Sequence, residues 1–288
     1  MFEGEDAKAP RVLVTRPALD AQRWVQSLQQ NGFLAEALPL IEIAPLTRAA
    51  DAEALEQVWH TLDHYSALMF VSSNAVSHFF GLKEAAAQSI RIRPAIKYIA
   101  STTRFLAPGP GTAAALRAAG VPQGQIDAPP PDAAQFDSDA LWQVIGGQEG
   151  RRDWAGRRVL IVRGQVDGAA STDSPGRDGL ARQWIGVGAT VDFLSVYERR
   201  TPQWSPAQIS RAQNAAADGS VWLFSSSEAV ANLGLQPGIK GMDWYQSRAV
   251  ATHPRIAQAA RAAGWGVVVE SRPALDDIVR CLRSIDAR

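Results

Sequence analysis

The sequence predicts an α/β fold in two similar lobes, each a parallel sheet flanked by helices. Three observations carry that reading. Blocks of sequence recur in one order along the chain. Each block follows the same local grammar of apolar strand, small polar turn and helix. Two proline-marked extended segments fall where a chain would pass between lobes.

The recurrence is direct. Arg11-Val12-Leu13-Val14-Thr15-Arg16-Pro17 returns as Arg158-Val159-Leu160-Ile161-Val162-Arg163-Gly164, Ser66–Val76 returns without a gap as Ser220–Val230, and Pro110–Gly120 returns as Pro254–Gly264. Repeats of this kind mean that one structural unit has been used twice. Arg11–Thr15, Leu68–Val71, Val159–Val162 and Trp222–Phe224 are short β-rich runs, each followed by small polar residues and a helical pattern. In Asp20–Gly32, Trp24, Val25 and Leu28 recur at helical spacing, and Asn31-Gly32 is a stop signal. Strands that alternate with helices of this length build a parallel sheet covered on both faces.

Pro39–Pro45 and its mate Ser195–Pro202 read as crossing strands. They divide the chain into lobe one, 11–38 plus 203–286, and lobe two, 47–194, with 39–46 and 195–202 as the crossing segments and 1–10 as a disordered arm. Two such connections make a hinge with a cleft between the lobes. The simpler alternative is two sequential domains split near residue 150, with Gly146–Gly156 as linker.

Composition bounds the function. Among 288 residues Lys plus Arg is 29 and Asp plus Glu is 29, so the net charge is zero. A nucleic-acid or anionic-membrane surface needs a basic excess, so neither partner is expected. Hydrophobic residues at 46% and charged residues at 20% suit a chain with a real core and argue against general disorder. The single cysteine, Cys281, rules out a disulfide framework and cysteine-based metal sites, and it falls in an apolar helical pattern as a small core residue. No stretch reaches the roughly 18 apolar residues of a spanning helix. Glu3, Glu5 and Asp6 stand where a signal peptide would be basic, so a cytoplasmic protein is expected.

In open α/β sheets ligands bind beyond the carboxyl ends of the strands, where the first helical turn offers unpaired N–H groups. Four turns stand out as two repeat pairs: Ser72-Ser73-Asn74 with Ser225-Ser226-Ser227, and Gly109-Pro110-Gly111-Thr112 with Thr252-His253-Pro254-Arg255. Each alone is explained by helix capping. Together on facing edges they read as an anion-holding cleft, to which Arg16 and Arg163 add full charges at the ends of the matched strands.

The ordered set RVLVTRP, GFLAEALPLIEIAPL, FVSSNAV, GPGTAAALRAAG, FDSDAL, SVYERR, FSSSEAV and VATHPRIAQAARAAG closely resembles uroporphyrinogen-III synthase from residue 11 to about 283. The resemblance implies two Rossmann- or flavodoxin-like lobes joined by a two-stranded hinge ladder. It implies a lyase that closes the linear tetrapyrrole hydroxymethylbilane to uroporphyrinogen III, with loss of water and inversion of ring D, without metal or organic cofactor. The implied partner is the small-molecule substrate, handed over transiently by the bilane-forming enzyme, and the implied state is a monomer. The substrate's eight carboxylates match the anion-holding turns: Arg16, Ser72, Ser73, Asn74, Gly111, Thr112, Arg163, Ser225, Ser226, Ser227, His253 and Arg255 become candidate substrate-binding residues. The family's functional tyrosine matches Tyr197 in Ser195–Arg200, a phenol able to protonate or orient the departing hydroxyl. Its alternative role is packing in the hinge. Two segments depart from the family pattern: Ser101–Pro108 intervenes before the GPGT turn, and Gln165–Pro175 reads as an inserted mobile loop.

Other signals are weaker. Gly109–Ala114 satisfies G-x-G-x-x-A, but late in the chain and without a ribose-binding acid. His60 and His64 have metal spacing on a helix but no third ligand, so a solvated face explains them. No G-x-S-x-G elbow or phosphate loop occurs. The nine tryptophans are scattered. The rival from another class is a two-lobed module that closes on a polyanionic small molecule without chemistry.

Overall fold

The computed structural model describes residues 10–81, 102–146, 153–166 and 178–285. The chain divides into two units, Met1–Glu42 with Arg200–Arg288, and Ile43–Arg199. It opens with β1 (Arg11–Val14), α1 (Ala18–Gln30) and β2 (Leu34–Ala37). There follow β3 (Glu42–Ala44), α2 (Ala49–His60), β4 (Ala67–Phe70) and α3 (Ser73–Phe79). Next come β5 (Arg104–Leu106), α4 (Pro110–Ala118), β6 (Ile126–Asp127) and α5 (Ser138–Ile145). The middle of the chain ends with β7 (Arg158–Val166), α6 (Asp178–Gly186) and β8 (Thr190–Arg200). The last part is α7 (Pro206–Ala215), β9 (Val221–Phe224), α8 (Ser227–Leu235), β10 (Arg248–Ala251), α9 (Pro254–Ala262), β11 (Val267–Glu270) and α10 (Leu275–Ser284).

The first unit holds a five-stranded sheet in the order β11-β10-β9-β1-β2, and the second a six-stranded sheet in the order β3-β8-β7-β4-β5-β6. The sequence repeat is also a repeat of register. Val12 pairs with Val221 across β1 and β9, and their mates Val159 and Ala67 pair across β7 and β4. Val221 pairs with Arg248, and Ala67 pairs with Arg104. Both units therefore place equivalent residues at the same edge. Helix stops repeat too: Gly32 and Gly188 precede the strands after α1 and α6 with φ of 87° and 84°, a left-handed backbone that glycine adopts without steric cost.

The central strands are apolar throughout because helices cover both faces. Ala67, Leu68, Met69 and Phe70 of β4 are fully buried, as are Val221, Trp222, Leu223 and Phe224 of β9. Large aromatics fill the layers beside them. Trp184 of α6 packs edge-on against Trp142 and Trp154, and Trp222 packs edge-on against the stacked pair Trp244 and Trp265. These scattered tryptophans thus serve as core packing. Cys281 lies partly buried on α10. His60 is exposed at the end of α2, with Glu56 one turn earlier at 3.9 Å. Among the described residues no helix is long and apolar enough to cross a membrane.

The segment expected to separate a strand from the GPGT turn itself carries β5 at Arg104–Leu106, and Gly109 follows as the N-cap of α4. The segment expected as an insert from Gln165 starts inside β7, which runs to Val166. Residues 167–177, and the 1–9 part of the expected arm, lie outside the described residues.

Candidate functional site

In a parallel sheet every strand ends on the same edge, so the residues just beyond the strands form one row. In the first unit that row is Thr15-Arg16 after β1, Ser225-Ser226 after β9, Thr252-His253 after β10 and Ser271-Arg272 after β11. The ladder continues one step past the strands and fixes the row: Thr252 N–H donates to the Phe224 carbonyl at 3.0 Å, and Ser271 N–H donates to that of Ala251 at 2.9 Å. Thr15 Oγ1 donates to the Leu223 carbonyl at 2.7 Å.

The turns of this unit behave as caps. Ser226 Oγ accepts from Glu228 N–H at 3.2 Å, and Ser227 is the exposed first residue of α8. His253 Nδ1 accepts from Arg255 N–H at 3.1 Å, which makes Nδ1 the unprotonated nitrogen in this arrangement. Arg255 itself is exposed. Helix α1 differs. Its N-cap is Pro17, with no side-chain cap, so its first-turn N–H groups are open to an outside acceptor.

Arg16 stands beside that open turn. Its guanidinium stacks over the Trp24 ring at 4.6 Å. Its Nε is sealed from solvent with no hydrogen-bond partner among the described residues. Burial pushes its pKa down to about 10, against a raising effect of Asp20. A sealed N–H donor without an acceptor is unfavourable, and a carboxylate at this position would relieve it.

In the second unit the matching residues lie within strands, because β7 runs on to Val166 beside β8, which holds Tyr197. Arg163, the repeat mate of Arg16, is buried and lies over the Phe193 ring at 4.4 Å. After it the register shifts: Arg163 pairs with Ser195, but Gly164 pairs with Tyr197, leaving Val196 as the extra residue of a β-bulge. The bulge lays the Tyr197 ring against the Gly164 backbone, where a Cβ would collide with it. The phenol is 3% exposed. Its hydroxyl shares a hydrogen bond of 3.1 Å with Ser72 Oγ, which also accepts from Ala75 N–H at 3.1 Å as the N-cap of α3. The His78 ring lies 5.4 Å from that of Tyr197.

Ser73 and Asn74 form the half-buried first turn of α3. Gly111 is exposed and Thr112 is buried in the first turn of α4, which, like α1, has no side-chain cap. Ser72 and Tyr197 are thus brought into direct contact. The candidates of the first unit share one sheet edge, where Ser226 and His253 cap their own helices. Sequence reasoning misses Gly164, His78 and Arg272. For Arg272, which sits 3.6 Å from Asp277, a signal exists: Ser271-Arg272-Pro273 echoes Thr15-Arg16-Pro17.

Chemically, the edge of the first unit offers N–H groups of the uncapped helices α1 and α10, small hydroxyls and a guanidinium with a sealed Nε, a set suited to binding carboxylates. The edge of the second unit offers the uncapped first turn of α4, small hydroxyls and a phenol able to orient a hydroxyl.

Comparison with known proteins adds two findings. The family model of uroporphyrinogen-III synthase HemD matches residues 22–280. Among solved structures, a mutant uroporphyrinogen III synthase of the extremely thermophilic bacterium Thermus thermophilus is similar at 17% identity and a TM-score of 0.54, covering 97% of this chain and 99% of that one. Uroporphyrinogen-III synthetase of Helicobacter pylori is similar at 14% identity and a TM-score of 0.52, covering 97% and 100%. At these identities the structural likeness is one of fold.

Proposed function

Since the chain belongs to the uroporphyrinogen-III synthase family, an enzyme family of tetrapyrrole biosynthesis with a small-molecule tetrapyrrole substrate, we propose that it closes hydroxymethylbilane to uroporphyrinogen III as a hydro-lyase. The observation that carries this reading is the family match over 22–280. In this reading the protein is a cytoplasmic monomer that receives the bilane from the enzyme that makes it. Its lobes are 11–38 plus 203–286 and 47–194, joined through 39–46 and 195–202.

The mechanism is catalysis by orientation. Loss of the substrate's hydroxyl as water leaves a reactive cation, which must attack the substituted position of ring D. Holding that geometry supplies most of the rate. Carboxylates are held at the open first turns of α1 and α4 and at Arg16, with Ser73, Asn74, Gly111, Thr112, Arg163, Ser225, Ser227, His253 and Arg255 completing the two edges. Net charge zero is compatible with this polyanion because neutral N–H donors and helix termini do most of the holding. The test is to give the protein freshly prepared hydroxymethylbilane and identify the isomer. Spontaneous closure gives the type I ring. A predominant type III product supports the reading, and a type I product refutes it.

Tyr197, buried and engaged by Ser72, suits an orienting donor better than an open proton donor. Tyr197→Phe should keep the fold and lower turnover roughly tenfold, the worth of one hydrogen bond of about 1–1.5 kcal/mol. Ser72→Ala should cost a similar factor, and the double variant little more, because both remove one contact. A loss near the roughly 100-fold typical of a missing general acid would make the phenol the proton donor instead.

Ser226 separates capping from ligand binding. Ser226→Ala should lose about 1 kcal/mol of stability and bind substrate only modestly less well. Ser226→Asp caps as well as serine but sets a negative charge at the turn, so KM should rise tenfold or more, about 1.4 kcal/mol. Equal KM values for the two variants would make the turn a cap and nothing else.

A further inference from the structure

Proline at both crossing segments creates a problem that the first unit solves with side chains. Pro39 and Pro202 lack N–H groups, so short extended stretches around them cannot be held by a full ladder. Three buried polar or aromatic residues hold them instead. Asn232 Nδ2 donates to the Leu40 carbonyl at 2.8 Å, and Asn232 Oδ1 accepts from Thr201 Oγ1 at 3.1 Å. Gln236 Nε2 donates to the Pro202 carbonyl at 3.0 Å. Trp204 Nε1 closes the set by donating to the Pro39 carbonyl at 2.9 Å. Asn232 is 6% exposed and Gln236 1%.

Asn232 is the only member of this set that touches both segments through its own side chain, one with each end of its amide. It also sits on α8, whose N-cap is Ser226. Asn232 and Gln236 are four residues apart and so share a helix face. A rigid helix of about 1.5 Å per residue puts the Ser226 turn some 9 Å from Asn232. The helix that presents a candidate carboxylate-binding turn is therefore the same body that grips the chain where it leaves the first unit and where it returns.

We infer that Asn232 is a positioning residue for ring closure: by tying Leu40 and Thr201 to α8, it fixes both crossing segments relative to the Ser226 turn, and the isomer formed depends on it. The inference rests on the proposed synthase activity. Displacements of about 1 Å far from the reacting atoms can cost on the order of 100-fold when orientation is the source of rate. Here the competing outcome, spontaneous closure to the type I ring, is available whenever orientation fails.

The test uses the full chain, with hydroxymethylbilane as substrate, and compares wild type with Asn232→Leu, Thr201→Val and Thr201→Ser. Isomer fractions are followed as enzyme concentration is raised to a plateau. A variant that is merely less folded or less abundant recovers the wild-type type III fraction at high enzyme, because more catalyst outruns spontaneous closure. A positioning defect does not recover. The expected result for Asn232→Leu and Thr201→Val is a type I fraction raised several-fold at the plateau, with kcat reduced about tenfold and KM changed less than twofold. Thr201→Ser, which keeps the hydroxyl, should match wild type. Should Asn232→Leu fail to fold, the near-isosteric Thr201→Val still decides the matter. Wild-type plateaus and kcat in the folded variants, or a Thr201→Ser loss as large as that of Thr201→Val, would overturn the inference. A wild-type chain that yields only the type I ring would overturn the activity beneath it.

Discussion

Gly164→Ala should destabilise the second unit by about 2–3 kcal/mol, near the upper end of overpacking costs, and should slow turnover further than Tyr197→Phe does. The added Cβ collides with the Tyr197 ring. That ring has nowhere to go: it is 3% exposed, tied to Ser72 by its hydroxyl and flanked by His78. Relief must come from moving the ring, which breaks the Ser72 contact, or from opening the bulge between β7 and β8. Urea unfolding and kcat measured together test this. Combining Gly164→Ala with Tyr197→Leu removes the colliding ring, so the double variant should be more stable than the two single losses predict, by about 1 kcal/mol or more. Strict additivity would mean that the two residues do not press on each other.

The same glycine explains what can and cannot be read from sequence. Parallel strands covered on both faces give continuous apolar runs, so the two copies are recognisable from sequence. Short edge strands such as β6, with two residues, leave no such pattern. Where the copies differ, the difference is informative. Pro17 is the N-cap that opens α1, three residues after β1 has ended, whereas its mate Gly164 lies within β7, which continues to Val166 beside β8. The alignment of the two repeats displays that divergence, but not that the phenol of Tyr197, far along the chain, lies on the glycine. Contacts of this kind depend on a bulge, and a one-residue bulge has no signature in composition or periodicity.

The polar candidates are legible as residues and not as states. Serine, threonine and histidine at strand ends read as caps or ligand turns, and Ser72, Ser226 and His253 do cap their helices. Sequence alone does not reveal that Ser72 already has two partners, or that Arg16 lacks a hydrogen bond at a sealed Nε. Burial arises from how Trp24 of α1 folds back over the strand end. Asn232 is equally hidden: within an apolar helix it reads as an ordinary polar interruption until the Leu40 carbonyl and Thr201 are seen beside it.

Arg16→Met should make the protein more stable and a worse enzyme. Methionine keeps an unbranched chain against Trp24 while removing a charge that burial opposes, and replacing buried charges with apolar groups is often stabilising, here by about 1 kcal/mol or more. Substrate recognition moves the other way. A hydrogen bond from a charged group contributes about 1.5–3 kcal/mol, so kcat/KM should fall roughly 10- to 100-fold. The pH dependence follows from the sign of the shift. Burial lowers Arg16 from the ordinary arginine range to about 10 in the folded protein, so the native state disfavours its charged form. The resulting penalty is present in full below about pH 10 and is relieved as pH rises from there toward the ordinary arginine range. The stability advantage of Arg16→Met should therefore be constant from neutral pH to near pH 10 and shrink beyond it. Thermal unfolding across that range, set beside kcat/KM at neutral pH, tests both halves. A variant that is less stable than wild type yet turns over the bilane equally well would make Arg16 a structural anchor, stacked on Trp24 for packing, and would remove it from the substrate-binding edge.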